Sequence, residues 1–316
     1  MLTRVTSQMM MGSAQRNLQS SQSLLAQRQD QASTLKAISR PSDDPIGTAS
    51  SMQVRAQAAA ADQYSRNIDD GTNWLNTIDS TLSSTSNMMN QVRDLTVQGG
   101  NGSLNQAAKD ALATQIEGLK SDLLNLANTK LQGRNVFAGN SDASSAVTDT
   151  LVLADPNVSG SVDTHTYSFG AATTGSVERR VAPGTTVRVD SDGASIFGDD
   201  NSSAPGASPS VFKLLDNITA TLRNGGDPSS QLNTIDDRMK AMTTAHTEMG
   251  TRQARILSAK DSNLALQNSL EAQRSGIEDL DLGKSVLNLQ MQQVNYQAAL
   301  AVTAKVLPQT LMDFLR

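Results

Sequence analysis

Between about residues 43 and 98 the apolar side chains recur at alternating steps of four and three. Tyr64, Ile68, Gly71, Leu75, Ile78, Leu82, Thr85, Met89 and Val92 make one continuous row. Positions so spaced fall on a single face of an α-helix, and a mean spacing near 3.5 lets two helices keep a common seam over many turns. At about 1.5 Å per residue such a helix runs for roughly 80 Å, well beyond the core of a compact domain. The row therefore predicts a chain built around long paired helices, with a mechanical task.

Composition points the same way. The chain holds five Phe, three Tyr and one Trp in 316 residues, and its apolar content is 37%. A large single core draws on more aromatic area than this. The net charge of −5 argues against nucleic acid as the main partner. Its distribution is uneven: residues 1–40 carry Arg4, Arg16, Arg28, Lys36 and Arg40 against Asp30 alone. With no cysteine, disulfides, thiolate chemistry and cysteine metal sites are excluded. No apolar run approaches the roughly 18 residues of a membrane span, and the stretch from Met1 to Gly12 lacks the apolar centre of a secretory signal. Export through a cleaved signal peptide is not expected.

Taken in order, residues 2–36 read as one helix, with Leu18, Leu25 and Ala32 seven apart. A stiff elbow follows at Ser39-Arg40-Pro41-Ser42-Asp43-Asp44-Pro45, where two prolines restrict the preceding residues. Ser42 or Asp43 is placed to cap the long helix, with Pro45 in its first turn. That helix stops at Gly99-Gly100-Asn101-Gly102. From Ser103 the spacing resumes through Ile116, Leu119, Leu123, Leu126 and Lys130, predicting a second helix folded back on the first.

At Gly133 the composition shifts to Gly, Ser, Thr and Asp. Short β-branched runs appear at 151–153, 164–169 and 185–189, with Val187 and Val189 alternating against Arg188 and Asp190 as in a half-buried strand. The segment holds nine acidic residues, among them Asp155 and Asp163, against three basic ones, so a well-solvated surface is expected. Helix returns at Ser210 and closes at Gly225-Gly226. A long pattern then runs through Ile235, Met239, Met242, Met249, Ile256, Asn263 and Leu270. A last seam comprises Ile277, Leu280, Leu287, Met291, Val294, Ala298 and Ala301.

The fold class expected is mainly α: a long coiled-coil hairpin or bundle formed by the N- and C-terminal regions, with a small β-rich insert. The layout is terminal arms at 1–40 and 277–316, a helical rod at 41–134 and 210–276, and an outward-facing insert at 135–209. Each arm is amphipathic and has no private core, so its row must be covered by the other arm or by neighbouring subunits.

No catalytic constellation emerges. His165 and His246 stand apart, without a nucleophile or metal partner in the pattern, which suits surface or packing roles. Asp190-Ser191-Asp192-Gly193 resembles the start of a calcium loop, but Ser202 or Ser203 stands where the bidentate glutamate is needed. Gly283-Lys284-Ser285 resembles the end of a phosphate loop, but Glu278 replaces the earlier glycine. Met9, Met10 and Met11 suit adaptable packing better than a soft metal. Arg179-Arg180 reads as a solvated strand end. Neither enzyme activity, cofactor, metal nor membrane is expected.

Several segments carry a resemblance. They are Met1-Leu2-Thr3-Arg4-Val5-Thr6, Ala14-Gln15-Arg16-Asn17-Leu18 with Ser21-Gln22, and Arg40-Pro41-Ser42-Asp43-Asp44-Pro45. Asn67-Ile68-Asp69-Asp70-Gly71, Gly133-Arg134-Asn135-Val136-Phe137-Ala138-Gly139, Gly250-Thr251-Arg252 and Asp279-Leu280-Asp281-Leu282 follow in order. Together they make the chain similar to the flagellin-related axial proteins of the bacterial flagellum, on the hook–filament junction side of that family. Pro45 after the paired aspartates, Phe137-Ala138-Gly139 and the Asp313-Phe314-Leu315 ending favour that side over flagellin itself. The resemblance implies arms that pack as an axial coiled coil, a homo-oligomeric ring, and contacts with flagellin above and another hook-associated protein below. It also implies a cytoplasmic export chaperone and an extracellular location reached by flagellar type III export. The subunit-interface candidates are Leu18, Leu25, Leu287, Met291 and Val294 on the arms, with Asp43 and Asp44 at the elbow. A filament subunit, or a secreted surface binding module on a helical stalk, are the other readings.

Overall fold

The computed structural model describes residues 2–153, 164–169, 175–201 and 209–314, and within them the side chains of Met9 and residues 11–304. In order the chain forms α1 (Leu2–Thr34), α2 (Pro45–Gly99), α3 (Gln106–Ala127), β1 (Lys130–Leu131) and β2 (Arg134–Asn135). Next come β3 (Val147–Val152), β4 (Thr164–Phe169), β5 (Glu178–Ala182), β6 (Thr185–Arg188), α4 (Gly193–Phe197) and α5 (Val211–Arg223). A 3-10 turn at Pro228–Gln231 leads into α6 (Leu232–Glu278), and α7 (Leu282–Phe314) follows. Asp155, Asp163, Ser202 and Ser203 lie outside the described residues, as do Leu315 and Arg316. Contacts divide the chain into two compact units, residues 63–264 and residues 1–62 with 265–316.

In the unit of residues 63–264 the apolar row of α2 is the floor of the core. Ile68, Leu75, Ile78, Leu82, Thr85, Met89 and Val92 are all buried, and Tyr64 is half-buried. Opposite them α6 offers Ile235, Met242, Met249 and Ile256, a strict seven-residue repeat, likewise buried. The polar margins fix direction: Asp69 meets Lys260 at 3.0 Å, Asn76 meets Gln253 at 2.9 Å, Asp79 meets His246 at 2.7 Å and Asp236 meets Arg93 at 2.8 Å. As one number rises the other falls, so these stretches of α2 and α6 are antiparallel. Gly71 in mid-helix has a packing reason. A Cβ there would stand 2.9 Å from Ile256 Cδ1 and 3.1 Å from Val189 Cγ1, closer than those side chains allow.

α3 begins later than the spacing suggests. Asn105 caps it, accepting from the Ala108 N–H at 2.8 Å, so residues 103–104 belong to the turn. Lys130 is likewise not on the helix: it is exposed in β1, after α3 has ended at Asn128. α3 lies antiparallel to α5, with Gln106 donating to the carbonyls of Leu222 and Arg223 and Lys120 paired to Asp216 at 2.5 Å.

The described strands form three separate two-stranded antiparallel ladders, β1–β2, β3–β4 and β5–β6. Their inward side chains join the same core as α2, α3, α5 and α6. Four of the five phenylalanines gather here: Phe197 stacks on Phe212 and Phe169 at 5.9 Å and meets Phe137 edge-on at 5.4 Å. Scarce aromatics are thus concentrated where short strands must be anchored on helices, and each buried ring contributes about 1.5–3 kcal/mol. Tyr167 packs tilted on Phe212 at 5.3 Å, and its hydroxyl donates to Asp216 Oδ2 at 2.8 Å. Burial, reinforced by that carboxylate, pushes the hydroxyl's pKa upward.

Two readings of this segment need correction. Asp190 does not alternate outward; it is fully buried and accepts both Arg188 Nε and Nη2 at 2.9 Å and the Val177 N–H at 2.8 Å. A bidentate arginine and a backbone donor make such burial tolerable. Arg179 is not a solvated strand end, because its Nε pairs with Asp70 of α2 at 2.6 Å. Asp192 caps α4 by accepting from the Ala194 N–H, so the calcium-loop residues serve as a turn and a cap.

Candidate functional site

The interface candidates all fall in the unit formed by residues 1–62 and 265–316. Here α1 packs on α7, and the start of α2 meets the end of α6 through a small cluster of Val54, Ala61 and Leu270. Two helix breaks lie side by side. After α1, Ala37 N–H donates to Glu278 O at 2.7 Å and Leu280 N–H donates to Leu35 O at 3.1 Å, bridging Lys36 to Asp279. Leu35 adopts the left-handed conformation, φ 57°, which strains a residue with a branched side chain. The buried Gln31 side chain holds the turn by donating to Ala37 O at 2.7 Å.

At the elbow the two aspartates have distinct tasks. Asp44, not Ser42 or Asp43, caps α2: its Oδ1 accepts from the N–H groups of Ile46 at 3.1 Å and Gly47 at 2.9 Å. Pro45 explains the displacement, because proline is favoured at the first helical position and the cap is the residue before it. Asp43 instead stitches the elbow to α1, with Oδ1 accepting from Gln27 Nε2 at 3.1 Å and Oδ2 from Arg40 N–H at 2.9 Å. Gly47 lets the elbow fold against the first turn of α2, since a Cβ would stand 2.7 Å from Ile38 Cδ1 and closer still to the Asp44 carboxylate.

Behind the elbow Glu278 is buried and gripped by Arg55, through Nε and Nη2 at 2.6 Å each, and by the Ser51 hydroxyl. Hydrogen bonds from Arg55 and then Ser51 hold its carboxyl down to about 2. These three side chains border a cleft of about 470 Å³ that also touches Lys36, Ile38 and Arg40. The cleft is framed by the end of one helix pair and the beginning of the next.

The arms themselves differ from the simplest expectation. Leu18 and Leu25 on α1 are half-buried, but Leu287, Met291 and Val294 on α7 are 62%, 59% and 63% exposed. α7 turns a mixed face inward: Ser285 and Gln292 are buried, Leu289 and Tyr296 at the same spacing are half-buried, and Gln292 Nε2 donates to Ser21 O at 3.1 Å. Steps of four and three along Leu287, Met291 and Val294 keep those side chains on one face. Val302 is exposed on the same side, so the row continues along α7 without cover from its own chain. The spacing located the row but not the side that faces α1. The buried serine and glutamine were the available signal, since small and polar residues at helical spacing mark a close seam.

Neither histidine joins a reactive set. His165 pairs with Asp149 and His246 with Asp79, each at 2.7 Å and each partly exposed. Among the described residues no cluster of three metal-ligating side chains occurs, and no helix is long and apolar enough to cross a membrane. Gly283-Lys284-Ser285 lies within the first turn of α7, which Asp281 caps.

Known proteins place these features in context. Residues 5–142 match the bacterial flagellin N-terminal helical region, and residues 232–315 match the bacterial flagellin C-terminal helical region. The chain is 27% identical to flagellar hook-associated protein 3 of Salmonella typhimurium, over 94% of both chains. It is 25% identical to flagellin of Bacillus subtilis, over 95% of both. The fold is shared with hook-associated protein-3 from Legionella pneumophila, with a TM-score of 0.56 at 15% identity over 70% of this chain and 97% of that one. The two family matches bracket the strands and between them take in well over half of the residues, so this chain belongs to the flagellin family of bacterial flagellar proteins.

Proposed function

We propose that the chain is a structural junction subunit of the flagellum, forming a ring of identical copies between a second hook-associated protein on the hook side and flagellin on the filament side. The observation that carries this reading is the uncovered row Leu287, Met291 and Val294, in a chain similar from end to end to hook-associated protein 3. Three large apolar side chains on one helical face lose contact with water only when another surface covers them. Each contributes about 1.5–3 kcal/mol when it is fully buried. In this reading residues 1–40 and 277–316 form the axial arms, Leu18 and Leu25 complete their seam, and residues 135–209 face outward. A cytoplasmic chaperone covers the arm before export, and the subunit leaves the cell through the flagellar channel.

The elbow is assigned to axial contacts between subunits, with Asp43 and Asp44 fixing its shape. Replacing both by alanine is expected to weaken junction assembly; unchanged assembly and unchanged resistance to force would remove the elbow from the interface. The test of the whole reading is electron microscopy of cells lacking this chain, with flagellin followed in the medium. Bare hooks together with released flagellin are expected. Similarity to flagellin of Bacillus subtilis favours a second reading, a filament subunit, for which filaments would be absent with no flagellin released.

A further inference from the structure

Asn-Gly pairs occur twice in the sequence, at Asn101-Gly102 and Asn224-Gly225, and both are exposed in the turns that follow a helix. Their surroundings differ. Asn101 Oδ1 accepts two hydrogen bonds from Ser103, from its N–H at 3.1 Å and from its hydroxyl at 2.5 Å. Among the described residues no backbone acceptor engages the Gly102 N–H, and the space a Cβ would take at Gly102 is empty. Gly225, by contrast, donates its N–H to Leu222 O at 3.0 Å, and its positive φ of 73° fixes it in the helix-closing turn.

From this difference we infer that Asn101 is a self-modifying site, at which the turn promotes loss of the side-chain amide without an enzyme. The Gly102 nitrogen adds to Asn101 Cγ and gives up its proton. Negative charge develops on Oδ1, where the two Ser103 donors already point. The Cγ–Nδ2 bond then breaks, ammonia leaves with the proton, and a five-membered succinimide remains. Water opens either carbonyl of the ring, giving aspartate or isoaspartate. At Asn224 the same attack must first break the Gly225 hydrogen bond and leave its turn.

The product places a carboxylate one residue beyond Gly100, beside the negative end of α2, where an added negative charge is unfavourable. In the isoaspartate form one extra methylene also lengthens the turn between α2 and α3. The site thus records the age of each chain as charge at one end of the helical hairpin. This inference does not depend on the junction reading.

The test follows the full chain during incubation in mildly alkaline buffer, with tryptic peptides 94–109 and 224–238 sequenced by tandem mass spectrometry. The mass gain of exchanging the side-chain amide for a carboxyl, localised to residue 101 with isoaspartate present, is expected about threefold to tenfold faster than at residue 224, where one hydrogen bond must first be lost. Ser103→Ala is expected to slow the change at 101 severalfold and leave 224 unaffected. Equal rates at the two pairs, or a Ser103→Ala rate at 101 equal to that of the parent chain, would overturn the proposal and leave only ordinary Asn-Gly chemistry.

Discussion

The two units of this chain answer the same problem in opposite ways. Residues 63–264 bury their apolar rows against one another: Leu75, Ile78 and Leu82 of α2 share a core with Met242, Met249 and Ile256 of α6, and four phenylalanines close its β-rich part. In residues 1–62 and 265–316 the α1–α7 seam mixes buried serine and glutamine with half-buried Leu289 and Tyr296, while Leu287, Met291 and Val294 of α7 face water. The first unit is stabilised by its own chain. Helices of the second pair through a narrow, partly polar seam and leave a row of large apolar side chains in water. Long helices with conspicuous hydrophobic rows therefore do not have to bury those rows at home.

Substitutions in each unit test that contrast. Phe197→Ala removes the ring on which three other rings converge, and is expected to destabilise the unit of residues 63–264 by about 3–5 kcal/mol in chemical denaturation. A loss below about 1 kcal/mol would mean that the aromatic cluster is not the anchor of the strands. Gly71→Val forces a branched side chain against Ile256 and Val189, with an expected cost of about 1–3 kcal/mol in the same measurement.

The Glu278 pair provides a pH test confined to the other unit. Its folded carboxyl sits near 2, below the ordinary 4.5, so its contribution is present above pH 4.5 and is lost as pH falls through 2. Thermal melting of the parent chain should decline across that window, and Glu278→Gln should remove this part of the decline while lowering the midpoint at neutral pH by about 2–4 °C. Parallel acid profiles for both chains would show that the pair does not stabilise the helix breaks. The smallest effect on stability is expected from Leu287→Ser with Met291→Ser and Val294→Ser, within about 0.5 kcal/mol, because these side chains are already in water. Assembly of that triple variant onto hooks, scored by electron microscopy, should fail. If the triple variant instead unfolds as readily as Phe197→Ala, the contrast between the units is wrong.

Much of the helical plan was legible because periodicity survives in any environment. The α2 row from Tyr64 to Val92, the sevenfold repeat of α6 and the strand at 164–169 lie where their spacing puts them. Side-chain partners were less legible. Asp190 looked like the outward residue of an alternating strand and proved to be buried, since Arg188 and the Val177 N–H reach it only after β5 and β6 pair. Asp70 and Arg179, far apart in sequence, meet for the same kind of reason. At the elbow either aspartate could cap a helix. The choice of Asp44 follows from where Pro45 enters the first turn, and Asp43 was free to bind Gln27.

Most helical stretches and their apolar rows were readable before any packing was known, because the 3.6-residue turn is local, but the start of α3, the place of Lys130 and the short α4 were not. The sequence also excluded thiol chemistry outright. Which apolar face is covered depends on packing between distant segments. A row of leucine, methionine and valine reads identically whether it is turned toward α1 or away from it; in the fold Ser285, Leu289, Gln292 and Tyr296 turn inward, and Gln292 reaches Ser21 on a helix more than 250 positions earlier in the chain. That rotation leaves Leu287, Met291 and Val294 facing water.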